Sequence, residues 1–144
     1  MKMRWISNSP DETRRIAGEF FQALNFPARI ALHGNLGAGK TCFAQGLALA
    51  AGIHEPVCSP TYTLIAEYTG DISFVHIDLY RLSGPEEALD LGLDEIIDSA
   101  GITVVEWPER GAELLPENTI HLRIARGGNS DQRIISIVEN SFRL

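Results

Sequence analysis

Gly34-Asn35-Leu36-Gly37-Ala38-Gly39-Lys40-Thr41 is the stretch that decides the fold. It satisfies the GxxxxGK[ST] pattern of a phosphate-binding loop. The chemistry needs these residue types at this spacing. Glycines leave room for backbone N–H groups of residues 36–42 to curl around phosphate oxygens where a side chain would not fit. The following helix N-terminus adds its partial positive charge. Lys40 is placed to bridge the β- and γ-phosphates of a nucleoside triphosphate, and the Thr41 hydroxyl to bind Mg2+.

The neighbouring sequence has the right shape for such a loop. Upstream, Ala28 to His33 is short and mostly apolar, which reads as a buried strand. Downstream, Lys40 to Ala51 carries Phe43, Leu47, Ala50 and Ala51 on one helical stripe, and Gly52 closes that helix. Further out, Ser9-Pro10-Asp11-Glu12 is a helix start with a serine cap and proline in the first turn, opening a helix to about Leu24. Tyr62 to Tyr68 and Ile72 to Asp78 read as strands separated by Gly70 and Asp71. Pro85 to Ile97 reads as one helix with Leu89, Leu93 and Ile96 inward and acidic residues outward. Ile102 to Glu106 is a short apolar strand, and Thr119 to Ala125 with Arg133 to Val138 flank Gly127-Gly128-Asn129 as in a terminal hairpin. Without repeats, linkers or low-complexity tracts, residues 1–144 are expected to form a single α/β domain of P-loop NTPase type. Its central sheet should be mainly parallel, with flanking helices and a C-terminal antiparallel hairpin.

A P-loop needs a second acidic group for Mg2+, and two strand ends offer one: Asp78 after Phe74-Val-His-Ile, and Glu106 after Ile102-Thr-Val-Val. Ligands of open parallel sheets gather at the carboxyl ends of strands, so both can face the phosphates. Neither carboxylate is followed by DxxG and no NKxD occurs, so the marks of a signalling GTPase are missing. His76 lies within an apolar strand and reads as a core histidine, and Tyr80 and Arg81 suit either the domain edge or a partner contact.

Composition narrows the function further. The 144 residues are 44% hydrophobic and 22% charged, an ordinary globular mix. The net charge of −7 argues against an autonomous nucleic-acid binder. Cys42 and Cys58 match neither a redox pair nor a zinc cluster and read as reduced thiols. The N-terminus lacks an apolar signal core, and no apolar run approaches the roughly 18 residues of a membrane span, so a cytoplasmic location is expected.

The loop at Gly34, Ser59-Pro60-Thr61-Tyr62-Thr63, His76-Ile77-Asp78-Leu79-Tyr80-Arg81 and Glu106-Trp107-Pro108 together resemble, in order and spacing, the bacterial TsaE (YjeE) family. The resemblance spans nearly the whole chain. It implies an ATPase required for making threonylcarbamoyladenosine in transfer RNA, with TsaD and TsaB as partners. Gly37, Ala38, Gly39, Lys40, Thr41 and Cys42 would bind the nucleotide phosphates, and Thr41 and Glu106 would serve Mg2+. Asp78 would orient water or metal near the γ-phosphate, Trp107 would sit beside the nucleotide, and Thr61 would belong to a mobile, switch-like loop. Glu12 or Thr13 would approach the base. Asn35 replaces the family's usual aspartate, and Cys42 its frequent second threonine; Cys42 still offers a backbone N–H. No internal arginine finger is evident, so hydrolysis by the isolated chain is expected to be slow. Two other readings of the same loop are a small-molecule kinase, which would need an arginine-rich lid, and a nucleotide-gated binding module without significant hydrolysis.

Overall fold

A computed structural model describes residues 3–35, 37–58 and 64–138. Seven strands form one mixed sheet: β1 (Arg4–Ser7), β2 (Ala28–His33), β3 (Ile65–Tyr68), β4 (Phe74–Asp78), β5 (Ile102–Glu106), β6 (Ile120–Arg126) and β7 (Arg133–Ile137). The helices are α1 (Pro10–Gln22), α2 (Lys40–Ala50), α3 (Pro85–Leu91) and α4 (Leu93–Ser99). The strand order is β1-β7-β6-β2-β5-β4-β3. The inner strands β6, β2, β5 and β4 run parallel, while β3 and the β6–β7–β1 edge are antiparallel. The expected mainly parallel centre and C-terminal hairpin are therefore both present. Among the described residues no helix is long and apolar enough to cross a membrane.

Parallel strands covered on both faces should be apolar throughout, and β5 is buried at every position. One face packs beneath α1 and α2 around Phe20, Phe43, Leu47, Ile30, Leu32 and Val104. The other packs Val75, Ile77, Leu79 and Val105 against Leu93 and Ile97 of α4. Ser9 caps α1 by accepting the Glu12 N–H at 3.0 Å, as the sequence signature requires. Arg29 reaches from β2 to donate to the carbonyls of Ile97 and Asp98, both at 3.3 Å, which satisfies the C-terminal end of α4.

Two expectations are corrected. The single helix over Pro85–Ile97 is two helices, because Gly92 adopts φ 66°, a left-handed geometry that glycine enters without Cβ strain. The redirected axis leaves Leu89 72% exposed rather than inward, while Ala88, Leu93 and Ile97 pack into the core. A strand not expected from the sequence also forms at Arg4–Ser7; it pairs with β7. The first part of the strand expected at Tyr62 lies outside the described residues, and the described part is β3.

Candidate nucleotide site

β2 ends at His33, and the chain turns through the glycine-rich loop into α2. Gly37 and Gly39 take φ 77° and 105°, conformations that a side chain strains, so their glycine identity follows from the backbone path. Ala38 is buried between them. The loop opens on a cavity of about 460 Å³ lined by Gly37, Gly39, Lys40, Thr41 and Cys42, and on its far wall by Asp78, Glu106 and Trp107. Asp78 and Glu106 are register partners at the carboxyl ends of the parallel strands β4 and β5, so one lattice of strand pairing delivers both carboxylates to the same wall.

Each charge in the cavity is held by its own support. Asp78 is buried; its Oδ1 accepts the N–H of Tyr80 at 2.9 Å, which fixes the carboxylate at the strand end. Glu106 is 3% exposed, and its Oε2 accepts from Nε2 of His76 at 2.5 Å. Lys40 is buried too, yet its Nζ has no hydrogen-bond partner among the described residues. The ammonium instead sits 4.0 Å from the centroid of the Trp107 ring. Burial lowers the Lys40 pKa from its ordinary value, opposed by the nearby carboxylates of Glu106, Asp78 and Glu109. An enclosed ammonium without an acceptor is costly, and the oxygens of a phosphate would complete it. Trp107 itself has φ 56°, a strained value for a bulky residue, and packs against Tyr80 at a centroid distance of 4.8 Å.

The loop is clamped by a residue that sequence reading missed. Arg133 donates from Nε to the Ala38 carbonyl at 2.9 Å and from Nη2 to the Gly37 carbonyl at 3.2 Å. Its Nη1 donates to the carbonyls of Ser130 and Gln132. Arg133 also lines the cavity, so the clamp on the loop carbonyls is part of its wall. Arg133 stands 93 residues after Lys40, and only the β6–β7 hairpin brings the two together. Arg81 lines the cavity as well, with an exposed side chain.

The remaining sequence candidates are placed as follows. Thr41 and Cys42 line the cavity, and the Cys42 thiol lies 3.9 Å from the Arg14 guanidinium. Thr13 stands apart from the main cavity: it is buried, with its hydroxyl 2.7 Å from that of Ser7. It lines a smaller adjoining pocket with Gly39, Cys42 and Arg133. Thr61 and Leu36 lie outside the described residues. Among the described residues no group of three or more His, Cys, Asp or Glu side chains forms a metal cage. The donors available to a cation here are the Thr41 hydroxyl and the wall carboxylates, a hard-oxygen set that suits a cation sharing its shell with phosphate oxygens and water.

Comparisons with known proteins point to one family. Residues 7–135 match the sequence model of the family described as threonylcarbamoyl adenosine biosynthesis protein TsaE. A Treponema pallidum protein named tRNA threonylcarbamoyladenosine biosynthesis protein TsaE is 43% identical over 90% of this chain and 97% of its own length. The Bacillus subtilis protein of the same name is 38% identical over 99% of this chain and 90% of its own. The crystal structure of Bacillus subtilis YdiB superposes with a TM-score of 0.79 at 36% identity, covering 94% of this chain and 83% of that one.

Proposed function

The chain belongs to the TsaE family, and from that premise we propose that it binds and hydrolyses ATP with Mg2+ in support of tRNA threonylcarbamoyladenosine biosynthesis, acting on a complex of TsaB and TsaD. The observation that carries the reading is the buried Lys40 ammonium, lacking a hydrogen-bond acceptor among the described residues, in a cavity shared with Thr41, Asp78 and Glu106.

In this reading the backbone N–H groups of residues 37–42 bind the phosphates, with the helix terminus of α2 behind them. Lys40 leaves the Trp107 ring and pairs with the β- and γ-phosphate oxygens. The Thr41 hydroxyl and the Glu106 carboxylate would hold Mg2+, which would supply positive charge to the phosphate oxygens. Asp78, fixed by the Tyr80 N–H, orients the attacking water. Trp107 closes the side of the site, and Thr13 approaches the nucleotide from the pocket it shares with Gly39 and Cys42. Thr61 belongs to the segment that responds to the γ-phosphate.

Hydrolysis by the chain alone is slow in this account. Arg133 is committed to loop carbonyls, and the exposed Arg81 is screened by water, so neither supplies a desolvated positive charge to the transition state. The partners complete the site. The chain acts through these proteins, without direct sequence-specific nucleic-acid binding or membrane attachment, and the proposed compartment is the cytoplasm, where the free thiols of Cys42 and Cys58 stay reduced.

The test is ATP hydrolysis by the purified chain, alone and with TsaB and TsaD, comparing wild type with Glu106→Ala. Strong stimulation by the partners that disappears in the variant is expected. Absence of stimulation with otherwise active partners contradicts the proposed role.

A further inference from the structure

We propose that His76 is a positioning residue for Glu106, holding its carboxylate away from Lys40 so that both charges stay available to cation and phosphate. The inference rests on the nucleotide-and-Mg2+ reading of this cavity.

Core packing does not account for a histidine at this position. The side chain is 0% exposed in the middle of β4, between Val75 and Ile77, where an aliphatic residue would fill the same space. Burying an imidazole is costly unless its nitrogens find partners. Only one does: Nε2 meets Glu106 Oε2, while Nδ1 is enclosed with no partner among the described residues. The polar function of the ring is therefore directed at one carboxylate. An N–H at Nδ1 would be a buried donor lacking an acceptor, so the proton belongs on Nε2 and is donated to Glu106.

The strand register explains the reach. Asp78 pairs with Glu106 and His76 with Val104, so His76 lies one step behind Glu106 on the face beneath α2. From there it draws the carboxylate toward the sheet. Lys40 and Glu106 line the same cavity. Even so, Lys40 Nζ makes no hydrogen bond to it. Opposite charges in a low-dielectric cavity attract strongly and would otherwise collapse into an ion pair. The Trp107 ring holds one partner and His76 the other. A carboxylate oriented by an outer histidine is the arrangement that tunes metal sites generally, and removing such a support typically costs about 10–100-fold in metal affinity.

The experiment measures equilibrium binding of a fluorescent N-methylanthraniloyl ATP as MgCl2 is titrated, for wild type, His76→Leu, His76→Gln and Glu106→Gln, with melting curves for each. Glutamine places an amide donor near the position of Nε2. The Mg2+ half-point is expected to rise about tenfold or more in His76→Leu and to recover in His76→Gln. An unchanged half-point in folded His76→Leu overturns the inference, as does a His76→Gln protein as impaired as the leucine variant. Should the substitutions unfold the chain, 15N spectra of the wild-type imidazole decide: a proton on Nε2 supports the inference, and one on Nδ1 overturns it. Wild-type binding that ignores Mg2+, with Glu106→Gln equally indifferent, sinks the underlying reading and this inference with it. A Mg2+ response that depends on Glu106 but not on His76 sinks the inference alone.

Discussion

The two walls of the cavity are built on different principles. The loop wall, within residues 34–41, is contiguous in sequence, and in the proposed reading it works mainly through backbone N–H groups on a path that Gly37 and Gly39 shape. The opposite wall is assembled from Asp78 and Glu106, 28 residues apart, and in the same reading it works through side chains that strand register aligns. Lys40 aside, a local wall tolerates side-chain exchange but not a changed backbone path. A register-built wall tolerates local backbone change but depends on each carboxylate and the group that holds it. The loop wall should therefore govern whether nucleotide binds at all, and the carboxylate wall what the bound nucleotide does.

Lys40→Ala tests that division where the effect is largest. Losing a charge-assisted contact to two phosphates should weaken ATP binding about a hundredfold or more, readable by calorimetry with and without Mg2+. Glu106→Gln is the counterpart on the other wall. It should lower partner-stimulated turnover by about 10²-fold while Mg2+-free ATP affinity changes little. Equal losses of binding in both variants would erase the distinction between the walls.

Arg133→Ala sharpens the comparison from the loop side. Freeing the carbonyls of Gly37 and Ala38 should weaken nucleotide binding by about tenfold without altering its Mg2+ half-point. Lysine should not rescue it, because a single ammonium cannot reproduce the guanidinium fork.

The smallest effect is expected just upstream of the loop, on the opposite face of β2. His33 Nε2 and His121 Nδ1 lie 2.8 Å apart, with Glu109 beside His33. Burial lowers both histidine pKa values from 6.5, and for His33 the neighbouring His121 adds to this. The folded chain then binds fewer protons than the unfolded one. Stability contributed by the pair is present above about pH 6.5 and is lost as pH falls toward the lowered folded values. Denaturant unfolding across that window should show a steeper acid loss for wild type than for a His33→Asn/His121→Asn double variant. Matching slopes would remove the pair from the account.

Legibility in the sequence follows the same division. The bounds of β2 and β5 and the start of α2 were readable because apolar runs, the glycine cluster and the caps are local signals. Asp78 and Glu106 were readable as strand-end carboxylates, but their convergence is a property of the sheet. Arg133 was invisible as a site residue, since nothing near it marks a contact made through a hairpin. His76 looked like core and is core by burial; its bond to Glu106 exists only once β4 lies beside β5. Gly92 failed in the opposite direction: a 13-residue periodic stretch from 85 to 97 outweighed one glycine in the reading, whereas the backbone used that glycine to turn.

The most direct test of the central claim is titration calorimetry of ATP into the purified chain, with MgCl2 and with EDTA. The account predicts one site per chain, tighter with Mg2+, and lost in Lys40→Ala. No saturable ATP binding by a folded chain, or binding indifferent to Lys40, would contradict it.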